Sequence, residues 1–113
     1  MAKLNTERFF VGGKSNISHE FEVFSFDTTF KKYGGVFVFT KRTKAPHGYN
    51  HLLVFIGKTE DLSTVLENYG DGCIKVQGAN SILVKYVISK DERDEVEADL
   101  YDKYNTICKE DRA

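Results

Sequence analysis

HLLVFIGKTEDL, from His51 to Leu62, holds the change of pattern on which the reading of the fold turns. Its first half is β-branched, aromatic and aliphatic, the composition of a buried strand. Gly57 closes that run, and the polar residues after it open a different periodicity. Leu62, Val65, Leu66 and Tyr69 recur at spacings of three and four, one apolar face of a helix from about Thr59 or Glu60 to Tyr69. Gly70 and Gly72 follow as helix stops.

Working back along the chain, VFVFTK (Val36 to Lys41) is a second strand of the same kind, set off by Gly34 and Gly35. The polar segment from Thr40 to Asn50 is expected to be a long basic loop joining the two strands as an antiparallel pair. HEFEVFSFD (His19 to Asp27) alternates, with Phe21 and Val23 on one side and Phe24 and Phe26 on the other. That fits a strand covered on both faces. Residues 1–18, with Gly12, Gly13 and Asn16, are expected to be an irregular extension.

Working forward, Cys73 to Asn80 is open between a loop and a short helix, and SILVKYVI (Ser81 to Ile88) is a third strong strand. Ser89 with Glu92 three residues on forms a capping box, which predicts a terminal helix. Val96, Leu100, Tyr104 and Ile107 are its expected core stripe.

The chain has 113 residues, 41% hydrophobic and 29% charged, enough for a single domain that needs neither metal nor disulfide to fold. No apolar run approaches the roughly 20 residues of a membrane span, and no secretory leader pattern is visible at the start. The two cysteines, Cys73 and Cys108, lack CxxC spacing and neighbouring histidines, so reduced structural thiols and a cytoplasmic location are expected. The net charge of −1 conceals an asymmetry: nine basic residues against four acidic ones through Lys58, then seven against thirteen. Such a split marks either a basic binding face or a basic half packed beside an acidic helix.

Gly35-Val36-Phe37, then FIGKTEDL, and finally Glu97-Ala98-Asp99-Leu100-Tyr101 with Tyr104 resemble the two signature strands, first helix and E-x-x-L-I-x-x-Y helix of the GIY-YIG nucleases. The resemblance covers residues 33–109 and leaves 1–32 as an N-terminal extension. It implies a small α/β domain with a central three-stranded antiparallel sheet flanked by helices, to which the extension can add a strand. It also implies phosphodiester cleavage with one divalent metal held by a glutamate, tyrosines handling water, and a helix arginine neutralising the developing phosphorane.

Carried over position by position, most of that machinery is missing. Phe37 and Phe55 stand where the signature tyrosines belong, and Val65 takes the arginine position. Tyr69 and Glu97 match, whereas Lys109 replaces an asparagine and Thr106 a proline. The resemblance therefore implies a catalytically degraded module. Glu97 is the one candidate metal ligand, and a divalent ion such as magnesium is expected only if activity survives. On a helix that also carries Asp94, Glu95 and Asp99, Glu97 fits a solvated acid equally well. His19, His47 and His51 show no ligand spacing. Gly12-Gly13-Lys14-Ser15 lacks the leading glycine and preceding strand of a phosphate loop.

Three functions are compatible with these residues. One is a noncatalytic module that binds nucleic acid through Lys31, Lys32, Lys41, Arg42, Lys44 and Lys58, or binds a nucleic-acid-processing protein. Another is a scaffold for protein interaction alone. The third is a divergent metal-dependent endonuclease in which Tyr33, Tyr49 or Tyr69 supplies the missing hydroxyl.

Overall fold

A computed structural model describes residues 3–69, 72–104, 106 and 108, with side chains from Arg8 onward. The fold is α/β, with five antiparallel strands and few helices. The strands are β1 (Lys3–Gly12), β2 (Ser18–Ser25), β3 (Gly35–Ala45), β4 (Gly48–Thr59) and β5 (Ser81–Tyr86), in spatial order β1-β2-β5-β3-β4. A 3-10 turn (Leu62–Thr64) leads into α1 (Val65–Tyr69), followed by α2 (Cys73–Val76) and, after β5, α3 (Lys90–Lys103).

The sheet has five strands: to the expected core of three, the N-terminal region adds β2, the strand expected from His19 to Asp27, and also β1, which was not expected. Within the segment expected to be an irregular extension, Lys3–Gly12 is a strand. Arg8, Phe9, Phe10 and Val11 alternate between solvent and interior and pair with β2 from Glu22 to His19. The sheet curls far enough that Phe9 of β1 meets His51 of β4, with ring centroids 4.6 Å apart, although these are its two outermost strands.

Strands β2 to β5 each send residues to two cores, one on either side of the sheet. Phe37, Phe39, Phe55, Ile82 and Val84 face α1 and α2. Val36, Val38, Ile56, Leu83, Phe21 and Val23 face α3 through Val96 and Leu100. The β3–β4 register slips between Phe39 and Thr40: Phe39 opposes Phe55 while Thr40 opposes Leu53. Val54 is thus bulged and joins Phe55 on the same face. Gly57 lies opposite Phe37, and a Cβ there would fall 2.6 Å from the Phe37 ring and 2.8 Å from the Phe55 ring. The glycine that ends the strand run is required by two converging rings.

Three further expectations change. The segment from Thr40 to Asn50 is no loop: β3 and β4 stay in register to Ala45 opposite Gly48, leaving only Pro46 and His47 as the connection. The helix expected from Thr59 or Glu60 starts later, because β4 remains paired with β3 through Thr59 opposite Gly35. Asp61 then caps the 3-10 turn by accepting the Ser63 N–H at 2.9 Å. Finally, Cys73 and Cys108 are joined in a disulfide across a separation of 35 residues rather than standing as free thiols.

Ser89 caps α3 as its pattern predicts, with the Glu92 N–H donating to its hydroxyl at 3.4 Å. The buried residues of α3 are Arg93, Val96, Glu97 and Leu100, so the inward stripe carries two charges. Tyr104 caps the C-terminus, and Ile107 lies outside the described residues. No helix among the described residues is long and apolar enough to cross a membrane.

Candidate functional site

The four motif positions on and beside the signature strands come together as a closed aromatic core. Phe37 and Phe55 stack with centroids 6.0 Å apart, and Tyr69 lies 5.3 Å from each. Phe37 is fully buried, Phe55 is 3% exposed, and Val65 packs in the same cluster at 1%. Rings this close leave no room for a reactive water, and phenylalanine has no proton to transfer.

Glu97 is on the other side of the sheet. It lies on the buried face of α3, with the core of Val36, Val38 and Ile56, and is 1% exposed. The reading of a solvated acid is therefore overturned: the helix turns this carboxylate inward, and Asp94 and Glu95 stay nearer solvent. Lys58 lies opposite Val36, which aims its side chain at α3. Its ammonium is 2.9 Å from Asp94 and 3.9 Å from Glu97. Lys90 also reaches Asp94 at 2.9 Å. Hydrogen bonds from Lys58 and then Lys90 hold the Asp94 carboxyl down at about 2, against an ordinary 3.8.

Among the described residues Glu97 is not joined by a set of other metal-ligand side chains. The Lys58 ammonium stands 3.9 Å from Glu97, and among the described residues no group of three or more His, Cys, Asp or Glu is arranged around one point. Nor do the tyrosines of the endonuclease alternative meet Glu97. Tyr69 is in the opposite core, Tyr49 is on the outer part of β4, and Tyr33 packs edge-on against Tyr86. Lys109 lies outside the described residues.

The six basic candidates do not form one surface. Lys58 is committed to Asp94. Lys31 and Lys32 are exposed in the connection between β2 and β3, where Lys32 contributes to lowering Asp61 after the hydrogen bonds from Ser63. The remaining three lie on the outer part of β3. Strand alternation puts Arg42 and Lys44 on the side of Thr40, which bonds His51 and Ser81, and Lys41 on the side of Phe39. The Asn80 amide bonds both the N–H and the C=O of Arg42, at 2.7 and 3.0 Å, adding a rung beyond the end of β5. Past that rung β3 and β4 continue as a two-stranded ribbon. On it the Arg42 guanidinium sits 3.3 Å over the Tyr49 ring.

One further polar cluster went unread in the sequence. The turn between β1 and β2 wraps the Asp99 carboxylate, which accepts from the Ser15 N–H at 2.8 Å, the Ser15 hydroxyl at 2.7 Å and His19 Nε2 at 2.8 Å. These bonds, His19 first, hold Asp99 at about 2. A side chain at Gly13 would collide with that carboxylate. Gly-Gly-Lys-Ser is thus an anion-holding turn whose anion is the protein's own. Asp99 bridges serine and histidine, so the histidine is not placed between an acid and a nucleophile as a hydrolytic triad requires. The cluster latches the β1–β2 hairpin to α3 and borders an open cavity of about 470 Å³.

No protein-family model, curated protein or solved structure matches the chain.

Proposed function

We propose that this chain is a noncatalytic nucleic-acid-binding domain on a GIY-YIG-like scaffold, with the β3–β4 ribbon as its contact element. The observation that carries this reading is the charge of one continuous segment. From Thr28 to Thr59 there are six basic residues and no acidic one. Three of the six belong to its strand β3, Lys41 and Arg42 at the root of the ribbon and Lys44 beyond the Asn80 rung. The acidic excess lies after that segment, where Asp94 and Asp99 are taken up by Lys58, Lys90 and His19.

A role without catalysis is supported by the closed ring cluster at Phe37 and Phe55, by Val65 in place of a cation, and by the separation of Glu97 from all three. A cytoplasmic location belongs to the same proposal. There the reducing thiol pool opposes the Cys73–Cys108 bond, and alkylation of protein taken directly from cells reports its state.

A gel-shift experiment with magnesium or manganese present scores binding and cleavage in one lane. The expected result is retarded, intact DNA or RNA. Metal-dependent cleavage abolished by Glu97→Ala would replace this reading with an active endonuclease. Absence of any shift, with a partner protein recovered after nuclease treatment, would replace it with an interaction scaffold.

A further inference from the structure

We infer that the β3–β4 ribbon enters the major groove of B-form duplex DNA, each of its faces meeting one of the two phosphate rows that wall the groove. The inference rests on the nucleic-acid reading above and adds the class of ligand and the mode of contact.

Three features of the ribbon carry it. The first is that both faces are basic. Lys41, at the root of the ribbon beside Gly78, is exposed on the face that leads back to α1 and α2, and Arg42 and Lys44 lie on the face that leads back to α3. A ribbon lying flat along one backbone would need cations on one face only. Size is the second. A two-stranded ribbon fits the major groove of B-DNA, about 12 Å wide and 8.5 Å deep. Past the Asn80 rung, the residues from Thr43 to Ala45, at about 3.4 Å each, reach roughly 10 Å, enough to span that depth. The third is the outer polar pair. Thr43 and Asn50 are directly opposed, exposed and on the Lys41 face, offering a hydroxyl and an amide where base edges would lie. The narrow major groove of A-form RNA would exclude the same ribbon.

The test uses the full chain, with fluorescein-labelled duplex DNA of about 20 base pairs, the same sequence as duplex RNA, and the single strand, followed by anisotropy over a range of salt. Lys41→Gln and Lys44→Gln are made separately; both side chains are exposed, so neither change threatens the fold. Duplex DNA is expected to bind at least about tenfold more tightly than duplex RNA or single strand, and each substitution to lower the logarithmic salt slope by about 0.9. If either substitution leaves the slope unchanged, the ribbon lies one face down and the groove insertion is wrong. Either competitor binding within tenfold of duplex DNA overturns it too. Failure of all three nucleic acids to bind at about 50 mM salt is a different outcome, since it removes the nucleic-acid reading itself.

Discussion

Reducing the Cys73–Cys108 bond should cost this protein a large share of its stability. The bond closes a loop of 35 residues that includes β5 and the whole of α3. The chain-entropy relation for such a loop gives roughly 4 kcal/mol at 25 °C. At about 2.1 cal/mol/K per residue, the unfolding entropy of 113 residues is about 0.24 kcal/mol/K, so the melting temperature should fall by roughly 16 °C. The local structure makes the tether matter. Cys108 is 4% exposed in the aromatic core, and its N–H donates to the Val54 C=O at 3.0 Å, on the sheet's outermost strand at the bulge. Calorimetry with and without reductant measures the shift. The Cys73→Ala/Cys108→Ala variant should melt near the reduced protein and ignore the reductant. A shift below about 3 °C, or two alkylatable thiols in the untreated native protein, would refute the reasoning.

The aromatic core and the Asp99 latch each respond to substitution. Restoring the signature hydroxyls with Phe37→Tyr and Phe55→Tyr should destabilise by about 1–3 kcal/mol each in urea unfolding, because each new hydroxyl must be buried in a closely packed apolar cluster, and should create no cleavage activity. Asp99, held at about 2 when folded against an ordinary 3.8, stabilises the fold fully above about 3.8 and loses that contribution as pH falls through about 2. Asp99→Asn should therefore destabilise at neutral pH and flatten the acid limb of stability plotted against pH.

Strands β2, β3, β4 and β5 were legible because two buried faces force apolar residues into long runs, as in VFVFTK and HLLVFIG. The outer ribbon was not. Beyond Thr40 β3 has no β5 residue beside it and only the Asn80 rung at Arg42, so Lys41 to Ala45 lose the apolar pattern while keeping the ladder with β4. In β1 the alternation of Arg8, Phe9, Phe10 and Val11 was present, but it is short and ends on a glycine pair that reads as a break. The division of motif positions between two cores is a property of the sheet, invisible until Phe37 and Val36 are assigned opposite faces. Glu97 looked exposed because its neighbours on the helix are acids. Its partner Lys58 comes from a strand end 39 residues earlier, a distance along the chain that no local pattern spans. The Ser15–His19–Asp99 latch joins residues 80 and 84 apart. Its one local sign was Gly12-Gly13, which read as a rejected phosphate loop rather than as the seat of a carboxylate.

The central claim, that the ribbon binds nucleic-acid phosphates, meets its most direct test in a salt titration of affinity for duplex DNA, wild type against the variant with Lys41, Arg42 and Lys44 all changed to glutamine. Each phosphate contact contributes about 0.9 to the slope of log affinity against log salt, so the variant should lose about 2.7 and weaken nearly equally on unrelated sequences. An unchanged slope in the triple variant would contradict the account.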